Sequence, residues 1–269
     1  YFLNKFKTII NAFKHFNLLF LIVALLFFIV ELIILFSVDG SSLNVDRWSA
    51  MEITIKGILN GEYPYALKDH LGKTSSNLPG LSILGLPFYL LVDVGLIQPT
   101  IFLVIIFTSY KLKYNNIQKL IVLLLLLISP AYLWEVFAKS DLLSNLFLVV
   151  LFMILWDKYF KIDYFKNPIL LSVFCAFFIL TRGIVLIPLI VFLFKDFLNT
   201  TYRNKVKFIL SFIFFTFLIS LPVLLSIKDV STVIEHNPFN HQTRFSPLPL
   251  IVLFLIIVNL INVFAVCHI

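Results

Sequence analysis

Asn17 to Val38 form one unbroken apolar run with a single charged side chain, Glu31. A helix of that length satisfies its own backbone hydrogen bonds across a hydrocarbon layer about 30 Å thick, for which about 20 apolar residues suffice. Further runs at 95–110, 119–138, 142–156, 208–227 and 248–267 have the same character. Hydrophobic residues make up 61% of the 269 and charged residues 13%, against about 45–50% and about 25% in soluble domains. The mean hydropathy is +1.02. A soluble fold lacks the interior to hide so much apolar surface. A soluble enzyme, a secreted disulfide scaffold and a disordered chain are thereby excluded, and an all-α, polytopic membrane helical bundle is expected.

Two stretches need a second criterion. The segment 79–93 is short and is interrupted by Pro79, Gly80, Gly85, Pro87 and Asp93, while 168–195 is too long for one span and is broken at Thr181-Arg182-Gly183. Charge placement decides between topologies. If 79–93 is re-entrant and 168–195 crosses twice, one side receives Lys5, Lys7, Lys14, Lys111, Lys113, Lys119, Lys158, Lys161, Lys166, Lys195, Arg203, Lys205 and Lys207. That side then holds 13 of the 21 basic residues, with only Asp157, Asp163 and Asp196 as acids. The positive-inside rule therefore predicts a cytoplasmic N-terminus, about eight spans and a long outer loop over 39–94. No internal repeat or linker divides the chain, so a single membrane domain, 1–269, is expected.

The net charge of +7 comes from bases in short loops, a pattern of topology and anionic-lipid contact and not of nucleic-acid binding. Cys175 and Cys267 sit in apolar runs without metal-ligand spacing and read as inert thiols. The first run is too long for a signal-peptide core and lacks a small-residue cleavage site. The chain opens at Tyr1 and stops at Ile269 directly after an apolar run, so truncation at the C-terminus of a longer chain is among the expectations.

The outer loop carries the richest pattern. Trp48, Met51, Ile55, Ile58 and Leu59 recur at helical spacing, with Glu52 and Lys56 as an i,i+4 pair on another face. An amphipathic surface helix over 47–59 follows, headed by Asp46 and stopped by Asn60-Gly61. Asp46 reads equally as a helix cap and as a carboxylate at the membrane mouth, able to take a proton from a hydroxyl. Glu52 lies off its face and reads as structural.

The order of these motifs resembles the C-type glycosyltransferases, membrane enzymes that take a sugar from a polyprenyl phosphate, and within them the branch of protein O-mannosyltransferases and the lipid A aminoarabinose transferase. That branch has an outer-loop Asp, then Ala-Glu-Ile and, after seven residues, Gly-acid-aromatic; here stand Asp46, then Glu52-Ile53, then Gly61-Glu62-Tyr63. Its second acid after the third span is matched by Ser140-Asp141-Leu142, its Thr-Lys-Gly by Thr181-Arg182-Gly183, and its late outer His and Arg-Phe by His236, His241 and Arg244-Phe245. The resemblance covers roughly 17–250. It departs at Leu78-Pro79, where the branch has Lys-Pro and Lys73 is a weak substitute, and in length, since the family is usually longer.

The resemblance implies Asp46 as the catalytic base and Arg182, Asp141, Arg244, His241 and Glu52 as substrate-binding residues. It implies a polyprenyl-phosphate sugar donor, a lipid, glycan or protein acceptor, and inversion at the anomeric carbon on the outer face of a bacterial inner membrane. No cofactor is certain; a divalent metal, used by some relatives, stays open, and no metal ligands are assigned because Asp46 stands without a DxD pair. Bland readings stand beside these. Arg182 suits lipid phosphate as well as a bound phosphate, Asp141 suits a cap of the following span with Lys139 as its ion partner, and the histidines suit a solvated loop. Glu31, inside the first span, is a functional candidate or a packing group with an unknown partner. Asp93 only marks the end of 79–93. The rival functions are a transporter or flippase of a lipid-linked sugar and an inactive family member. Against transport, the sequence offers one broken helix, at Arg182, with no counterpart.

Overall fold

In lipid only helices and closed barrels leave no backbone group unpaired. Every regular element of the described residues is accordingly helical, apart from one isolated bridge between Lys68 and Thr74. A computed structural model describes residues 14–112 and 114–238. The helices are α1 (Phe16–Ser37), α2 (Arg47–Leu59), α3 (Pro79–Leu91), α4 (Ile97–Lys111), α5 (Asn116–Leu127), α6 (Pro130–Phe137), α7 (Leu142–Phe160), α8 (Pro168–Ile179), α9 (Leu186–Asn199), α10 (Tyr202–Leu225) and α11 (Val230–Glu235).

Four helical stretches are long and apolar enough to cross a membrane: Phe16–Ser37, Val94–Lys111, Leu142–Phe160 and Tyr202–Leu225. A fifth is added if α5 and α6, bent by 55° at their junction, form one span. The sequence takes 119–138 as a single crossing; the chain instead breaks at Ser129-Pro130. There the Ser129 hydroxyl accepts the Tyr132 N–H and Pro130 opens a new helix, as its locked φ and lack of an N–H favour. The two crossings expected around Arg182 are helices of 12 and 14 residues. At 1.5 Å per residue they measure about 18 and 21 Å, short of a full hydrocarbon core. The last expected span, 248–267, lies outside the described residues.

The chain packs as two compact units, one holding the residues up to Trp48 together with Val92–Leu151, the other holding Ser49–Leu91 and the residues from Phe152 onward. In the first, α1 packs on α4, α5 and α6. Its core is aromatic: the Tyr132 ring stands 6.3, 6.5 and 6.2 Å from those of Phe27, Phe102 and Phe147. Leu18, Leu25, Ile33 and Phe36 of α1 point outward and are more than half exposed, the arrangement of a helix whose solvent is lipid.

In the second unit α10 lies along α8, and both pack on α3. The apolar stripe of α2, which the sequence assigns to a membrane surface, buries Met51 and Ile55 where Gly85 of α3 leaves room for them. The helix stops as the Asn-Gly pair demands. Gly61 has φ +67°, the Glu62 N–H donates to the Gly57 carbonyl (2.9 Å) and the Gly61 N–H to that of Ile58 (3.2 Å), a left-handed cap that satisfies orphan carbonyls. A wholly apolar cavity of about 250 Å³ lies among α8, α9 and α10, lined by Cys175, Ile179, Leu186, Phe208 and Phe212 among others.

Candidate functional site

The α6–α7 turn concentrates buried polar groups in the first unit. Glu135, Lys139, Ser140, Asp141, Ser144 and Asn145 are all buried there. Glu135 folds back over the turn: its Oε1 accepts from the Ser140 hydroxyl (2.8 Å) and its Oε2 from the Leu143 N–H (3.1 Å). The Leu143 N–H belongs to the first turn of α7, where donors have no intrahelical partner, so a carboxylate eight residues upstream satisfies it. No sequence argument singles out Glu135 for this. Asp141 is fully buried; the Asn145 amide donates to its carbonyl (3.0 Å) and to its Oδ2 (2.8 Å). With its amide nitrogen committed, Asn145 keeps a buried Oδ1 that has no donor among the described residues. The cluster is thus rich in hydrogen-bond acceptors.

A second group joins it through Lys139. This residue has φ +49°, a left-handed conformation that costs a non-glycine residue about 1–2 kcal/mol. Its ammonium stands 2.6 Å from Asp93 Oδ2 and 5.6 Å from the centre of the Trp48 ring. Asp93 Oδ1 accepts from the Trp48 indole N–H (3.1 Å) and from the Gly95 N–H (2.6 Å). Two sequence expectations are corrected. Asp93 is no mere end-marker, because it ties together three segments of the first unit, and the ion partner of Lys139 is Asp93 where the sequence expects Asp141. The sequence lacks the signal because Lys139 and Asp93 are 46 residues apart.

Asp46 occupies the position before α2, half-buried and two residues ahead of the anchored Trp48. Its neighbour Arg47 and the Asp141 carboxylate both act electrostatically on Glu135. The Lys139 ammonium over the Trp48 ring brings the head of α2 to the α6–α7 turn, which holds Asp141 of the expected site, and Asp46 precedes Trp48 by two residues. Glu52 and Arg182 belong to the second unit. Glu52 is half-buried on α2. Arg182 is half-buried in an extended conformation at the head of a 3-10 turn, Gly183–Val185, that leads from α8 into α9. His241 and Arg244 lie outside the described residues.

The partner of Glu31 is Tyr132, whose hydroxyl donates to Glu31 Oε1 at 2.6 Å. In the segment between α2 and α3 the Tyr65 hydroxyl donates to the Asn77 carbonyl (2.9 Å), and burial, reinforced by the nearby Tyr63, holds it above its ordinary pKa and therefore neutral. Lys73 is exposed in a turn organised by Asp69, whose Oδ1 accepts the Leu71 and Lys73 N–H groups. Among the described residues no three His, Cys, Asp or Glu side chains gather as a metal site. No family model, curated protein or solved structure matches the chain.

The arrangement offers carboxylates and a lysine at the head of an anchored helix. Such a set can accept a proton, hold hydroxyl groups through its acceptors, and bind a polar headgroup beside lipid.

Proposed function

We propose that the protein is a C-type membrane glycosyltransferase, seated in a bacterial inner membrane with its N-terminus cytoplasmic and its site on the outer face. The observation that carries this reading is the contact of Trp48, two residues past Asp46, with Asp93 and with Lys139 of the buried Glu135–Asn145 turn. In the reaction, the acceptor hydroxyl attacks the anomeric carbon of a polyprenyl-phosphate sugar. The new C–O bond forms as the bond to the phosphate oxygen breaks, the polyprenyl phosphate leaves, and Asp46 takes the hydroxyl proton. Attack from the face opposite the leaving group inverts the anomeric carbon. Asp141 shapes the sugar or acceptor pocket, with Glu52 and His241 as further contacts.

Arg182 is the phosphate clamp, since a guanidinium grips a phosphate through two parallel hydrogen bonds, and Arg244 is a second cation. The cavity of about 250 Å³ in the second unit, bordered by Leu186 just past the Arg182 turn, suits the first isoprene units of the donor. The eight-span topology keeps its parity whether α8 and α9 cross a thinned bilayer or dip in and return. The loops 157–166 and 195–207 stand on the same side in both cases.

Arg182→Ala and Arg182→Lys test the clamp in liposomes containing a polyprenyl-phosphate sugar. The account expects at least tenfold loss of donor affinity in Arg182→Ala and partial recovery in Arg182→Lys; equal affinity in all three proteins removes Arg182 from the site. A second reading, a flippase for a lipid-linked sugar, gains from the break at Ser129-Pro130. With the Arg182 turn it makes two interrupted apolar segments, where the sequence alone offers one. Translocation of a labelled donor without any transfer product would select that reading.

A further inference from the structure

We propose that Asp93 and Lys139 are positioning residues for Asp46, acting through Trp48; the catalytic part of this inference rests on the reading of Asp46 as the proton acceptor. Asp46 lies on a loop that runs from the end of α1 into α2, and two residues of chain reach at most about 7 Å. Anchoring Trp48 therefore holds Asp46 within about 7 Å of that anchor. Trp48 is held on three sides. Its indole N–H donates to Asp93 Oδ1 (3.1 Å), its ring lies under the Lys139 ammonium (5.6 Å), and Gly40 closes against the indole face at the ring-fusion carbon Cδ2. A Cβ on Gly40 would fall 2.2 Å from Trp48 Cδ2, so only glycine permits this contact.

Lys139 and Asp93 are in turn fixed by each other at 2.6 Å, and Asp93 also accepts the Gly95 N–H (2.6 Å). Gly95 packs closely on this pair: a Cβ there would lie 2.5 Å from Leu35 Cδ1, 3.0 Å from Asp93 Oδ1 and 3.1 Å from Lys139 Cδ, so a side chain would push on all three. The left-handed backbone of Lys139 then has a physical role: it turns the side chain out of the α6–α7 junction onto Asp93 and Trp48. An ion pair this buried, with side chains 4% and 15% exposed, is a poor source of stability, because desolvation offsets the attraction. It does fix geometry, and misplacement of a catalytic group by 1 Å costs about 100-fold in rate.

The test uses two variants of the full chain in liposomes. Trp48→Phe keeps a ring for Lys139 and deletes the N–H; Asp93→Asn combined with Lys139→Met removes both charges together, leaving none buried alone. In each, kcat counted per donor-binding site, from saturation binding to the same liposomes, falls at least tenfold while KM for the donor stays within twofold; counting sites removes any loss of folded protein from kcat. In parallel, Asp46→Cys in a Cys175→Ser, Cys267→Ser background is labelled with a water-soluble maleimide, and both variants raise its labelling rate at least fivefold. A kcat within twofold of wild type in both variants, or an unchanged labelling rate, overturns the clamp. If wild-type protein transfers no sugar, the glycosyltransferase reading fails separately, and the labelling rate alone decides whether the clamp positions residue 46.

Discussion

Tyr132→Phe isolates one hydroxyl in the centre of the first unit. The Tyr132 oxygen lies 2.6 Å from Glu31 Oε1 and 3.4 Å from the Gln98 carbonyl, and the two side chains are 1% and 0% exposed. Phenylalanine keeps the ring packed against Phe27, Phe102 and Phe147, so the transfer and cavity contributions stay near zero. The donor alone is lost. Glu31 Oε2 already has no hydrogen-bond partner among the described residues, and after the substitution Oε1 loses its hydroxyl donor as well. Leaving a buried acceptor without a donor costs about 1–3 kcal/mol, while measured interhelical hydrogen bonds in membranes average about 0.6 and reach about 1.7 kcal/mol. A loss of about 1–2 kcal/mol is therefore expected, read from unfolding in mixed detergent micelles. In a Glu31→Leu background the same substitution should cost less than about 0.5 kcal/mol, because the acceptor is gone. Equal costs in both backgrounds, or none in the wild type, would refute the assignment of Tyr132 as the partner that makes Glu31 tolerable inside a span.

Two further outcomes follow from the geometry. Gly80→Ala places a Cβ 2.7 Å from the Phe177 carbonyl oxygen and 2.8 Å from the Leu180 carbonyl carbon. Backbone atoms cannot swing aside, so α3 must separate from α8 at a cost of about 1–3 kcal/mol, seen as a lower unfolding midpoint in micelles. Asp229 heads α11 and accepts from the Ser231 hydroxyl, the Thr232 N–H and the Thr232 hydroxyl, which together depress its pKa to about 2. A carboxylate depressed in the fold supplies its stabilisation fully above its unfolded pKa, near 4, and loses it as pH falls through about 2. The Thr232 amide resonance should titrate with a midpoint near 2 in the wild type and stay flat in Asp229→Asn.

The helices that lipid dictates are plain in the chain, because length and apolar content alone define them. Asn17–Val38 is expected and α1 is Phe16–Ser37; the spacing of Trp48, Met51 and Ile55 and the Asn60-Gly61 stop delimit α2. The break at Ser129-Pro130 carries a local signal, a capping serine followed by proline, that the surrounding leucines mask. The Lys139–Asp93 pair, the Glu135 cap of α7 and the Tyr132–Glu31 bond carry none. Each joins residues on different elements, and an ion or hydrogen bond is specified by where helices pack and not by spacing along one of them. The candidate site was legible in residue type, as acids and bases at span ends, and illegible in its pairings.

The central claim is that Asp46 accepts the proton of an attacking hydroxyl. The decisive measurement is single-turnover transfer by purified protein in liposomes loaded with a polyprenyl-phosphate sugar, comparing wild type with Asp46→Asn. The account predicts a product with inverted anomeric configuration from the wild type and a rate at least about 100-fold lower from the variant, with donor binding retained. Transfer by Asp46→Asn at the wild-type rate, or no transfer by the wild type, would contradict it.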